Sequence, residues 1–120
     1  MGFDMQAVND TTAAGYHHLN IWGMALVCQE MNTVGLLNYT PHTPWQQDMN
    51  EEEVRAVLAQ RAPVVTQVPA FKFCSNDGWL VTPEECSLIA QRLRTSKDVL
   101  AQGFANYCAQ CVTLGGFEVW

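Results

Sequence analysis

Between positions 19 and 31 the apolar residues fall on two neighbouring helical stripes. Leu19, Trp22 and Leu26 mark one; Met24, Val27 and Met31 mark the other. No other feature constrains the fold as much. A helix apolar on one narrow stripe lies on a surface, whereas one apolar over so wide an arc needs neighbours on several sides. The spacing therefore predicts a central helix with the rest of the chain wrapped around it. Gly23 costs that helix about 1 kcal/mol of propensity relative to alanine and permits a close crossing. Gly35 is its expected stop.

The remaining punctuation supplies the partners. Asn50 reads as an N-cap, with Glu51, Glu52 and Glu53 in the electropositive first turn and Val54, Val57 and Leu58 as the apolar face. Arg61 suits the last turn and Pro63 lies beyond it. Thr82-Pro83-Glu84-Glu85 is a full capping box with proline at the first helical position. It opens a helix to about Arg94, with Leu88, Ile89 and Leu93 inward. Ser96 is the expected cap of a last helix through Cys111, with Leu100, Phe104, Tyr107, Cys108 and Cys111 as its inner face. Gly115-Gly116 breaks that helix.

Strand signals are weaker and shorter. Phe3, Met5 and Ala7 alternate with Asp4 and Gln6, and a turn is expected over residues 9–15. Residues 117–120 form a second candidate. Pro69 limits residues 64–73 to an edge strand. The predicted class is α+β: about four helices with a small sheet of two or three short strands that includes both chain termini. At 120 residues the chain reads as a single domain, 1–120.

Charge narrows the function classes. Twelve acidic and six basic residues give a net charge of −6, and the cations do not cluster in sequence. Such a field disfavours a nucleic-acid partner. No apolar run approaches a membrane span and the first ten residues lack a signal-peptide pattern, so the expectation is a soluble, cytoplasmic protein with no membrane partner. Five irregularly spaced cysteines fit that compartment as reduced thiols. Charged residues make up only 15% of the chain. A surface so poor in charge exposes apolar area, which favours a partner or self-association.

Catalytic motifs are missing: there is no Gly-rich phosphate loop, no G-x-S-x-G and no H-E-x-x-H. Cys108 and Cys111 share a helix face, but without a second pair at recognised spacing they read as core thiols and no metal is assigned. His17 and His18, adjacent at a helix start, would diverge by about 100° and not share a ligand. Two surfaces remain. The Ser75-Asn76-Asp77-Gly78-Trp79 turn can present Asn76 and Asp77, with Trp79 as a stacking wall; the same residues are also ordinary turn formers. Leu36, Leu37, Tyr39 and Trp45 lie in a proline-bearing segment, residues 36–45, that forms either an interface or a fold over the core.

The runs Gly2-Phe3-Asp4-Met5, Gly15-Tyr16, Leu19-Asn20-Ile21-Trp22-Gly23-Met24 and Lys72-Phe73 resemble a group of small uncharacterised bacterial proteins, also met on phages and mobile elements. Ser75-Asn76-Asp77-Gly78-Trp79-Leu80-Val81-Thr82-Pro83-Glu84-Glu85 and Gly115-Gly116-Phe117-Glu118-Val119-Trp120 carry the rest of the resemblance. It implies a shared fold and a cytoplasmic setting, and no activity. From the motif positions, Asp4, Asn20, Asn76, Asp77, Trp79 and Glu118 form a candidate ligand site if both termini pair as strands. The reading leans away from an enzyme: a binding or interaction module without cofactor, a homo-oligomer (a dimer first), with protein or small-molecule partners open. The alternative is a small enzyme or binder with a polar cleft at the 75–79 turn.

Overall fold

Both ends of the chain meet in one sheet. In the computed structural model, which describes residues 2–39, 50–58 and 65–120, strand β1 is Gly2–Ala7 and strand β6 is Phe117–Val119. They run antiparallel with Met5 opposite Val119 and Ala7 opposite Phe117. The alternation responsible is physical: Met5, Ala7, Phe117 and Val119 are all essentially inaccessible to solvent, while Asp4, Gln6 and Glu118 between them face outward. Gly115 and Gly116, at φ +79° and +81°, turn the chain into β6 with a backbone that side-chain-bearing residues rarely adopt.

The sheet has four antiparallel strands in the order β2-β1-β6-β5, where β2 is Tyr16–Asn20 and β5 is Trp79–Val81. Strand β2 corrects the expected helix start at positions 17–19. The hairpin partner decides the matter: Phe3, Asp4 and Met5 pair with Leu19, His18 and His17, and ladder bonds outweigh a weak local helical preference. His17 and His18 consequently point to opposite faces of the sheet.

Helix α1 follows at once as Ile21–Thr33, capped by the Asn20 side chain, which accepts from the Gly23 N–H at 2.7 Å. Two further strands, β3 (Leu37–Asn38) and β4 (Val68–Pro69), form a small parallel pair. Helix α2, Glu51–Leu58, lies between them in sequence, and Asn50 accepts from the Glu53 N–H as expected. Arg61 and Pro63 lie outside the described residues.

The Thr82 capping box opens α3, Pro83–Leu93, with both reciprocal bonds formed. Helix α4 is Val99–Cys111, and its cap is Asp98 rather than Ser96; Ser96 instead donates to Glu30 at 2.6 Å and accepts from the Asp98 N–H. Buried residues of α1, α3, α4 and the sheet's inner face form one cluster, with Phe104 set edge-on to Phe73 and Phe117. Within the predicted faces three residues differ. Trp22 and Leu26 of the first α1 stripe are 82% and 36% exposed, while Leu19 at its start is buried within β2, and Leu100 of α4 is 43% exposed. No helix among the described residues is long and apolar enough to cross a membrane.

Candidate functional site

The outward face of the sheet collects several of the residues singled out from sequence. Asp4 and Trp120 exchange both backbone hydrogen bonds, at 2.8 and 2.7 Å, and Glu118 stands opposite Gln6 one row along. Across β2, Asp4 faces His18, whose Nδ1 lies 2.9 Å from Oδ1, and the Tyr16 hydroxyl donates to the same carboxylate. The Tyr16 bond, and then His18, hold Asp4 below the usual carboxylate range, and Asp4 in turn raises the Tyr16 phenol. Sequence reasoning named Asp4 but missed Tyr16 and His18 as its partners. Their alternation with buried Leu19 was the available signal.

At one end of the sheet Asn20 stands opposite Gly2, and the Asn76 amide donates to Gly2 O at 2.7 Å and to Trp120 O at 2.8 Å. Asn76 thus staples the two chain ends. Asp77 accepts from the Ser75 hydroxyl, and Ser75 Oγ also accepts from the Trp79 indole N–H at 2.8 Å. Trp79, read as a stacking wall, is 1% exposed and packs edge-on against Phe71. Its ring has no face to offer a ligand, because β5 turns it to the inner side of the sheet.

Of the proline-bearing segment, Leu36 and Leu37 are buried in the core. Tyr39 is 59% exposed and its hydroxyl accepts from Asn32. Trp45 lies outside the described residues. Exposed apolar side chains stand instead on the other α1 stripe, among other places: Trp22 is 82% exposed and Leu26 36%. Leu100 continues it, its Cδ1 lying 3.6 Å from where a Cβ on Gly23 would stand.

Among the described residues no three His, Cys, Asp or Glu side chains gather as a metal site. Cys86, Cys108 and Cys111 are buried, and burial pushes the Cys111 thiol up to about 11 and partly buried Cys28 to about 12. Such thiols stay protonated at neutral pH and make poor nucleophiles and ligands. A cavity of about 320 Å³ between α3 and α4 is lined by Ala90, Arg94, Gln102, Ala105, Asn106 and Ala109, none of them a candidate from the sequence.

The two edges of the sheet differ. On β5 the Leu80 carbonyl accepts from the Lys72 ammonium at 2.8 Å, so a turn at Ala70–Phe73 covers that edge. On β2 the direction of each peptide follows from the ladder. Asp4 turns its N–H and C=O to Trp120, so Phe3 and Met5 turn theirs to Leu19 and His17. Tyr16, His18 and Asn20 therefore direct their backbone groups away from the sheet. The Tyr16 N–H donates to Ala13 O, and the Asn20 C=O belongs to the first turn of α1. Left over are the Tyr16 C=O, both groups of His18 and the Asn20 N–H, to which no described residue bonds.

Comparison with family models, with curated proteins and with solved structures finds no match to this chain. The fold and the surface chemistry therefore carry the functional argument alone.

Proposed function

We propose that this chain is a non-enzymatic interaction module that self-associates through an apolar surface, as a dimer before any larger assembly. The observation that carries the reading is Trp22, 82% exposed on α1. Tryptophan is the residue type most enriched among interface anchors, and leaving it in water forgoes the gain from burying its large apolar area. Leu26 lies one turn further along the same helix face, and Leu100 extends the surface onto α4. A net charge of −6 with scattered cations argues against a nucleic-acid partner, and five free thiols fit a reducing cytoplasm.

The alternative, a polar cleft at the 75–79 turn, has less support. Asn76 is engaged with two backbone carbonyls, Asp77 with Ser75, and Trp79 is buried. Light scattering across a concentration series tests the proposal. The wild-type mass rises to that of two copies, and Trp22→Ala weakens the dimer by tenfold or more, the scale of a central anchor of at least about 1.4 kcal/mol. A strict monomer at the highest concentration reached would sink it.

A further inference from the structure

Resting on the self-association proposed above, we infer that the partner is a second copy of this chain and that the contact is an antiparallel pairing of β2 with β2. Four backbone groups on that edge meet no partner among the described residues: Tyr16 C=O, His18 N–H, His18 C=O and Asn20 N–H. In an antiparallel ladder two facing residues exchange bonds in both directions. Place a two-fold axis at His18. Each His18 N–H then donates to the other copy's His18 carbonyl, and each Asn20 N–H donates to the other copy's Tyr16 carbonyl. The groups those positions cannot supply, Tyr16 N–H and Asn20 C=O, are the ones already used within the chain. Sliding the register by two residues in either direction leaves half of the four groups facing no free partner. The free donors and acceptors are thus complementary to themselves in a single register. A two-fold contact of this kind is the isologous interface from which closed dimers are built.

Three further observations agree. Strand β2, YHHLN, has no lysine or proline, the usual devices that blunt an edge, whereas the β5 edge is covered by Lys72. The chain leaves β2 directly into α1, so exposed Ile21 and Trp22 of one copy continue past Tyr16 of the other toward its exposed Ala13 and Ala14. On α4, Leu100, Gly103 and Tyr107 share a flank, and the Tyr107 hydroxyl donates to Gly15 O beside the start of β2. Beyond its own helix, no described residue comes within 4 Å of where a Cβ on Gly103 would stand, which leaves room for the second copy. The joined sheet would have eight strands, with the two His18 rings adjacent on its outer face and each held by its own Asp4.

Residue-resolved amide hydrogen exchange by NMR, run beside light scattering at high and low protein concentration, tests the pairing. The His18 and Asn20 amides should exchange at least tenfold more slowly where the chain is dimeric than where it is monomeric. The Tyr16 amide, bonded to Ala13 O, should be indifferent to concentration. A dimer in which His18 and Asn20 exchange at one rate throughout overturns the β2 pairing and leaves self-association standing; a chain monomeric at every concentration removes both. Protection that appears only when a different protein is added also overturns the pairing of two copies. His18→Pro deletes the central donor, whose N–H points away from β1, and proline is tolerated on an edge. A folded His18→Pro protein that dimerises as tightly as wild type counts against the proposal, and if that variant does not fold, the exchange measurement on the wild type still decides.

Discussion

His17 occupies the inner face of β2, stacked on Tyr107 with ring centroids 5.0 Å apart, and its buried Nε2 meets no hydrogen-bond partner among the described residues. Burial, and then the neighbouring charge of His18, lower its pKa below the ordinary histidine value. Below about pH 6.5 the unfolded chain takes up a proton that the folded chain resists, so the unfolded state binds more protons and stability falls with pH. This loss begins as pH drops through about 6.5 and ends once the lower folded pKa is passed. Thermal melts between pH 7.5 and 5 should show a declining midpoint, with a shallower decline in His17→Phe, which keeps the stacked ring and has no proton to accept. A slope unchanged by His17→Phe would refute the assignment. Asp4 acts in a separate, more acidic window. Its folded pKa is depressed by Tyr16 and His18, so its contribution is full above about pH 4 and lost as pH falls through the folded value.

Among the described residues, Lys72 is a polar link that joins three elements. Its ammonium lies 2.6 Å from Glu85 of α3 and 2.8 Å from the Leu80 carbonyl of β5, with both charged residues buried. Glu85 also accepts the Thr82 N–H in the capping box, so one carboxylate joins a turn, a strand and a helix start. Lys72→Met strands that carboxylate without its counter-charge. The expected loss is about 3–5 kcal/mol in urea unfolding, the usual result of removing one partner from a buried pair; a loss under about 1 kcal/mol would mean that water reaches Glu85. In sequence Lys72 was merely one of six scattered cations. Its burial was illegible because its partner lies thirteen residues away across a turn. The capping box, by contrast, was fully legible, since each of its bonds spans three residues. Helix α1 lies between these cases. Its existence was readable from local spacing but its start was not, because β1 pairs with residues 16–20; two apolar stripes also compete for the core and nothing local ranks them. Packing against α4 and the sheet buries Met24, Val27 and Met31 and turns Trp22 outward.

At the scale of the whole molecule, β6 is the strand that makes the sheet. It lies between β1 and β5, joining the first residues of the chain to the last. Such contacts close a loop of nearly the full chain length and form only when both ends are present. Removing residues 115–120 takes a central strand, the buried Phe117 and Val119, and one acceptor of the Asn76 staple. Circular dichroism of a 1–114 fragment should therefore show no cooperative thermal unfolding; a sigmoidal melt near that of the full chain would contradict the sheet order. The pairing of the ends was legible because alternation in residues 3–7 and 117–119 specifies which side of each strand is buried, and a sheet follows from two such faces. The starts of α2 and α3, the glycine turns and the α+β class were readable for the same reason: each depends on residues within a few positions of one another. The features on which the proposed function rests were decided by distant neighbours. Residues 16–20 became a strand because β1 was there to pair with them, Leu36 and Leu37 were drawn into the core, and Trp22 was left outside. Lys72 covers the β5 edge, whereas no described residue bonds the outward groups of β2. A local pattern tells which residues are apolar. Which apolar residues find a neighbour, and which backbone groups do not, is known only once the whole chain has closed.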